Sequence, residues 1–502
     1  CSDDFVIASD IYHEPFRVST LGFFYMRLGQ DSPEITPRPR LPLFIPGVDT
    51  TTVYISTLHP YHPNWEEIRK RVTDPWDHPR EFERFNTGKT NNKAYGGHSD
   101  AYDWDKHLGH VPIIYDMLLP YILSKGVLDY DNMGIAESGN GIPDILDEAR
   151  YEVDFWLRLR EGKGYAHGLT CPYSEENRVR FQSGTTAMAA WANSLNSAMM
   201  AEAFRISGHS DLMKIYTDSA IVAFEYAGNL NDQMLDLTSG TGAGQVRGRD
   251  FKMMAAAYLY NLTGNTKYED AMASESTIVS ANSSVIDTEK HNQLYGLVAY
   301  LFTNRKVNYP ELYDNMKKSV IAEAKRWEAD YSNERPSRRA TCNSGVYFWI
   351  IQNMQRTMVA HAVTNDPKEK AFFLNALTLE ADWGLGRNPA NIIQMTTAST
   401  NMATKRSVEA AFTSGYNDGA PGLHPGHTPY WNMHDWAPAM IMGRPSWMAA
   451  KGYPAQNEWP VAELFFKTDY VWSHSEFTPQ QTMRGKQALY GYLYSLSVPK
   501  TD

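Results

Sequence analysis

The sequence predicts an all-α protein whose helices pair into a closed ring. Three observations predict it: about a dozen segments after residue 107 carry apolar residues at helical spacing, turn residues rather than alternating strands separate them, and no repeat of fixed period runs through them. The segments are 109–124, 143–160, 185–207, 211–228, 248–263, 266–282, 290–304, 310–328, 345–363, 368–385, 437–450 and 482–497. Pro143 followed by Asp144 opens one of them, and Gly208, Gly228 and Gly264 fall just past the last periodic residue of three others, as glycines at helix ends do. Short turns between such helices make sequence neighbours antiparallel partners, and the missing repeat favours a closed ring over an open solenoid.

Composition bounds what this ring can do. With 502 residues, 42% apolar and only 21% charged, the chain has material for a large core, which excludes global disorder. Acidic residues outnumber basic ones by 58 to 47, a formal charge of -11 with no Lys/Arg block, so nucleic acid is excluded as a partner. No apolar run of about 18 residues is present, so no membrane-spanning segment is expected. Cys1, Cys171 and Cys342 stand far apart, without CxxC metal spacing. Before the helices, Phe5 to Phe24 is rich in Val, Ile, Phe and Tyr and reads as one or two strands. A Pro-rich run from Pro33 to Pro46 reads as an extended connector. The irregular stretch 55–92 is expected to hold one short helix near Trp65 to Val72, and 386–481 is again loop-rich and aromatic.

Those two irregular regions hold the residues that suggest chemistry. Tyr95 to His107 gathers Asp100, Asp103 and Asp105 with His98 and His107 just before a helix. In a helical turn, Asp100 and Asp103 would project from one side and share a water, and a nearby helix N-terminus would keep both ionised, as a general base and its helper require. The competing reading is that Asp and Ser here are ordinary helix caps. Near the other end, Glu476 lies among Tyr470, Trp472 and Phe477. Apolar neighbours raise a carboxyl's pKa and let it keep the proton that a general acid donates. A surface Glu in a capping segment is the alternative. His424 and His427 lie three apart, but the Pro-Gly between them breaks a helix and no Cys or Glu joins them. Hydrogen bonding to ligand hydroxyls suits them better than a metal. Gly240 to Gly244 lacks the spacing of a phosphate loop and reads as a flexible loop.

These residues resemble glycoside hydrolase family 9, which includes many cellulases. Gly96-Gly97-His98-Ser99-Asp100-Ala101-Tyr102-Asp103 is similar to the family's GGWYDAGDY motif, and Glu137-Ser138-Gly139-Asn140-Gly141-Ile142-Pro143-Asp144-Ile145-Leu146-Asp147-Glu148-Ala149 to its SGNGIPDLLDEA stretch. Gly386-Arg387-Asn388-Pro389 resembles its GRNP, and Glu476 takes the place of its C-terminal acid. The resemblance implies an (α/α)6 barrel over 21–502, a Pro-rich connector at 33–47, and 1–20 as the last strand of a truncated immunoglobulin-like domain. It also implies that Asp100 orients a water, Asp103 takes its proton and Glu476 protonates the glycosidic oxygen. The outcome is inversion, with the Asp103 and Glu476 carboxyls about 6.5 to 9.5 Å apart.

The chain departs from the pattern at several points. Tyr102 and Asp105 replace two glycines, the aromatic before the first Asp gives way to His98, and the Asn after the catalytic Glu is missing. The His-x-Arg substrate motif is also absent, and His424 and His427 are its expected substitutes. Bulky Tyr102 beside the water site is expected to shape the cleft toward a pocket. Further expected substrate contacts are His98, Arg387 and the aromatics Trp104, Tyr430, Trp431 and Trp472, whose flat faces suit sugar C–H groups. The expected function is therefore cleavage of a β-1,4-linked glucan or related polysaccharide, with no required cofactor and a structural calcium whose ligands the sequence does not name. An exo-acting β-glucosidase or glucosaminidase and a catalytically silent glycan-binding protein are the alternatives. A polymer substrate implies a secreted, cell-surface or periplasmic enzyme, and Cys1 followed by Ser-Asp-Asp fits a lipoprotein anchor as well as it fits an artificial start.

Overall fold

The structure, a computed structural model, describes residues 8–30, 44–72, 74–100, 106–174, 176–230, 234–237, 246–287, 291–334, 354–388, 391–396, 407–408, 425–429 and 476–499. Its helices are α1 (His13–Phe24), α2 (Trp65–Arg69), α3 (Pro79–Glu83), α4 (Pro112–Leu123), α5 (Asp144–Arg158), α6 (Ala187–Ile206), α7 (Ser210–Gly228), α8 (Gly248–Thr263), α9 (Thr266–Glu275), α10 (Leu294–Leu301), α11 (Pro310–Ala324), α12 (Asp330–Glu334), α13 (Gln355–Val363), α14 (Pro367–Gly384) and α15 (Arg484–Ser495). Two rings emerge from their packing. α4, α6, α8, α10, α13 and α15 touch in succession, and α15 closes back onto α4. α5, α7, α9, α11, α14 and α1 lie outside them, each against the inner helices. This is the (α/α)6 barrel.

The two rings differ in the way their positions require. Every residue of α4, α10 and α15 is buried, because an inner helix touches protein on all sides. In α7 only Tyr216, Ala220, Ala223 and Ala227 are buried, one stripe at helical spacing on an otherwise wet helix. Local signals set the ends: Thr186 Oγ1 accepts from Ala189 N–H at the start of α6, Asp366 caps α14, and Gly208 and Gly264 adopt positive φ past the ends of α6 and α8.

Three expectations need correction. Residues 13–24 form a helix, not strands: α1 buries Phe16, Val18, Leu21, Phe23 and Phe24 on nearly every face, which leaves no helical stripe to read and makes β-branched and aromatic residues look strand-like. Gly228 is the last residue of α7 rather than a left-handed cap, since Asn229 follows in right-handed conformation. α9 stops at Glu275, well short of 282. The helix expected at 437–450, the loop at 240–244 and most of the Pro-rich run lie outside the described residues.

Strands are present as well, in a small sheet. β1 (Thr52–Ser56), β2 (Asn86–Thr90), β3 (Lys106–His107), the short hairpin β4 (Arg160–Glu161) and β5 (Gly164–Tyr165), β6 (Gly168–Leu169) and β7 (Val179–Gln182) follow in chain order. Five of them form one sheet, β2-β1-β7-β6-β3, in which only β1 and β7 run parallel. The stretch 55–92 is thereby folded down: Leu58, Trp65, Ile68, Trp76, Phe82 and Phe181 form a second small core, with the expected short helix realised as α2.

Connections from inner to outer helices are mostly short, as at 207–209, 264–265 and 364–366, whereas those from outer to inner helices carry the long segments, including 25–111, 159–186 and 385–483. These three therefore leave and re-enter the helical barrel at the end where the inner helices have their N-termini. Helix N-termini carry partial positive charge, so carboxylates are favoured at that end.

Candidate active site

The first acidic segment is pinned to the chain just past the end of α1. Leu28 N–H donates to Gly97 O at 2.8 Å, Ser99 N–H to Met26 O at 2.8 Å, and Arg27 and His98 form an antiparallel bridge. Gly96 and Gly97 both take positive φ, and a Cβ on Gly96 would meet Arg158 Nη1 at 3.0 Å. The glycines bend the chain into this pairing at His98 and Ser99, and the turn expected from Asp100 to Asp103 runs outside the described residues. Asp103, Tyr102 and Trp104 lie outside the described residues.

His98 is fully buried, which corrects its expected role as a sugar contact. Its Nδ1 lies 2.8 Å from Glu152 Oε2 and its Nε2 2.6 Å from Glu148 Oε1, and its backbone N–H also donates to Glu152 Oε2 at 2.8 Å. Both glutamates come from one face of α5, four residues apart. Glu152 Oε1 accepts from the Trp156 indole at 2.9 Å. Arg27 grips Glu148 with two bonds of 3.0 and 2.9 Å, reaches Glu137 at 2.9 Å, and lies over the Tyr151 ring at 4.3 Å. Burial alone would raise the Glu148 carboxyl, but Arg27 and His98 beside it hold it below its usual range. Arg27, Glu148 and Glu152 are not among the site residues the sequence suggests; the i, i+4 spacing of the two glutamates is the signal that could have found them.

The second segment is seated differently. His427 is buried and its ring stacks on Phe477, with centroids 4.2 Å apart and planes 3° from parallel. Its backbone N–H donates to Thr396 Oγ1 at 2.9 Å, and its carbonyl accepts from Thr396 N–H at 2.8 Å. Pro429 bridges Phe477 in antiparallel fashion. His427 thus packs against Phe477, the residue after Glu476, and is not an exposed hydroxyl donor. Glu476 itself is half-buried. After it the chain enters a wide π-type turn, Pro479–Met483, where Thr478 Oγ1 accepts from Gln481 N–H at 2.8 Å and Met483 N–H reaches back to Thr478 O. Trp472, His424, Tyr430 and Trp431 lie outside the described residues.

Two contacts bring the segments together. Gln480 Nε2 donates to Gly109 O at 2.8 Å, tying the turn after Glu476 to the turn after the acidic motif. Gly22 in α1 faces Gly426 so closely that a Cβ on it would stand 2.5 Å from Gly426 O. α1 and the residues just past it therefore touch both segments, the first through Met26 to Leu28 and the second through Gly22. Below them, Asp116 of α4 accepts from Tyr295 at 2.6 Å and Gln355 at 3.1 Å and pairs with Arg484, fixing four inner helices around one carboxylate. Arg387 is elsewhere. It is exposed on the turn closing α14, where its N–H donates to Asp382 O at 2.8 Å, and Asp382 in turn accepts from the Tyr12 hydroxyl at 3.0 Å.

A structural calcium finds no fitting ligands among the described residues, which contain no group of three or more His, Cys, Asp or Glu arranged around a metal position. In the stretch 131–144, Asp131 accepts from Gly139 and Gly141 N–H, and Asp144 Oδ2 from Met133 N–H and the Ser138 hydroxyl. No described helix is long and apolar enough to cross a membrane.

Comparison with known proteins places this arrangement. The sequence pattern of glycosyl hydrolase family 9 matches residues 83–440. Endoglucanase D of Acetivibrio thermocellus is 25% identical over 412 residues, covering 78% of this chain and 60% of that protein. A xyloglucan-specific endo-β-1,4-glucanase of Bacteroides ovatus is 23% identical over 374 residues, 65% of this chain and 60% of that protein. The chain thus spans about three fifths of the length of these curated relatives. Among solved structures, a Bacteroides ovatus family 9 protein superposes with a TM-score of 0.68 at 18% identity, covering 98% of this chain and 85% of that one. A family 9 endoglucanase designated J30 gives 0.69 at 16% identity, covering 99% and 87%. The barrel and the matched span together show that the chain belongs to glycosyl hydrolase family 9.

Proposed function

We propose that the protein is an inverting β-glycoside hydrolase that cleaves a β-1,4-linked glucan or a related plant polysaccharide internally. Asp100 orients the attacking water, Asp103 removes its proton, and Glu476 protonates the departing glycosidic oxygen. The observation that carries this reading is the bond from Gln480 to Gly109, which joins two turns nearly four hundred residues apart, one just past Asp100 and Asp103 and the other just past Glu476. It holds their segments at the end of the barrel where inner-helix N-termini favour ionised carboxylates. The curated relatives, an endoglucanase and a xyloglucan-specific endoglucanase, support an endo-acting enzyme and set the substrates to try. The reaction needs no redox cofactor, because two carboxyls and water supply every proton and oxygen that it moves. A polymeric substrate also makes export from the cell part of this proposal.

The test is turnover of Asp103→Asn and Glu476→Gln on a panel of cellulose oligosaccharides, mixed-linkage glucan and xyloglucan. Each variant is expected to lose at least about 100-fold in kcat, the scale of general acid–base catalysis. Smaller losses remove these residues from those roles. Proton NMR of the first-formed product is expected to show the α-anomer; a β-anomer product contradicts inversion. Early products of many lengths are expected, whereas a single small sugar from the outset establishes exo action.

A further inference from the structure

We propose that His98 is a positioning residue for Asp100: it holds the acidic segment onto α5 by bridging Glu148 and Glu152, and this bridge sets kcat. The inference rests on the reading of Asp100 as the residue that orients water. His98 stands where the family motif GGWYDAGDY has tryptophan, so the bridge belongs to this chain's own sequence.

The argument is geometric. Both ring nitrogens face carboxylate oxygens, at 2.8 Å to Glu152 and 2.6 Å to Glu148, with no solvent access. A neutral imidazole donates from one nitrogen only. Each ring nitrogen is thus within hydrogen-bond distance of a different glutamate. The backbone N–H of the same residue adds a third bond to Glu152. Phe23 stands edge-on to the ring at 5.8 Å, and Tyr151 at 6.0 Å, so the ring has no other place to turn.

Asp100 is two residues further on, and between them Ser99 is fastened through its own N–H to Met26 O at 2.8 Å. Backbone pairing fixes this segment against residues 26–28, while against α5 it is held by the His98 N–H to Glu152, by Arg158 donating to Tyr95 O at 3.3 Å and by the His98 ring, which alone of these engages both Glu148 and Glu152. An aspartate that must place a water to within fractions of an ångström depends on both. A tryptophan, with a single indole N–H, is unable to bridge two carboxylates.

Four proteins test this: the parent, His98→Gln, Asp100→Asn and the double variant, each checked for native near-UV circular dichroism and assayed on one cellulose oligosaccharide. Glutamine keeps a donor for one glutamate and loses the bridge. His98→Gln is expected to lower kcat at least tenfold with KM within about threefold, because substrate contacts are intact. The double variant is expected to be no slower than Asp100→Asn alone, since a residue that acts only through Asp100 has nothing left to position. A kcat for His98→Gln within tenfold of the parent, beside a damaged Asp100→Asn, overturns the inference alone. So do losses that multiply in the double variant. An undamaged Asp100→Asn overturns the catalytic reading of Asp100 and this inference with it. If His98→Gln does not fold, Glu152→Gln serves instead: its single amide oxygen cannot accept from both His98 and the Trp156 indole as the two carboxylate oxygens do, so the bridge is weakened, a kcat loss of about tenfold at constant KM is expected, and parental kcat overturns the proposal.

Discussion

The two segments that meet at the site are held by opposite kinds of chemistry. The segment carrying Asp100 is bound by charge: Arg27, Glu137, Glu148, Glu152 and His98 form one cluster, most of it buried. Among the described contacts, the segment carrying Glu476 is bound by a flat ring stack, backbone pairing and an amide strut, and the Arg484–Asp116 ion pair lies in the barrel below. Buried ion clusters are stiff because breaking any one contact strands a charge. Stacking and single amide bonds tolerate small displacements at lower cost. A water-orienting aspartate calls for the first kind of support. A proton donor that must follow a leaving oxygen works with the second.

Breaking the charged side should give the largest effect. Arg27→Met leaves Glu148 buried without its main partner, and a loss of about 3–5 kcal/mol is expected in urea unfolding. A loss below about 1 kcal/mol would place the cluster's weight elsewhere. Gly22→Ala attacks the contact that both segments share through α1, where the opposing atom is the backbone oxygen of Gly426 and cannot swing aside. About 1–3 kcal/mol is expected, together with a fall in kcat because α1 is pushed off the 425–429 turn. Phe477→Leu tests the softer side: removing the ring beneath Glu476 should cost about 1–2 kcal/mol and lower kcat more than it changes KM. Unchanged kcat would mean that the stack does not seat Glu476.

The smallest effect expected is in pH dependence. Arg27 and His98 hold the Glu148 carboxyl below its ordinary value of 4.5. Its stabilising contribution is therefore complete above the unfolded-state pKa and disappears as pH falls through the folded one, when the carboxyl must take up a proton. Unfolding free energy measured between pH 7 and pH 3 should fall more steeply for the parent than for Glu148→Gln. Parallel curves would show that the carboxyl is not ionised in the folded protein. Asp147 runs the other way, since burial lifts it to about 6 against the pull of Arg150, so its ionised form opposes folding above that pH.

Legibility follows solvent exposure. Helices with one wet side, such as α7 and α11, are readable because water imposes a stripe on the sequence. α1 reads as strand because it is buried nearly all round, and a helix without a wet face has no period to show. His98 and His427 depart from expectation for a related reason. A histidine's sequence neighbours do not reveal whether its ring faces a cleft or two glutamates from another helix.

The sequence alone determined the helical class of the chain, the acidic composition, the glycines that end α6 and α8, and the two acidic segments on which a hydrolase would depend. Those are local properties, written in side chains and their spacing. Only the tertiary structure decided that α1 is a helix, that Gly22 and Gly426 let it lie against both segments, that His98 joins two carboxylates of α5, and that Gln480 spans to Gly109. Each of these depends on groups far apart in the chain meeting at hydrogen-bond or van der Waals distance, and no local pattern records which distant partner a buried polar group will find.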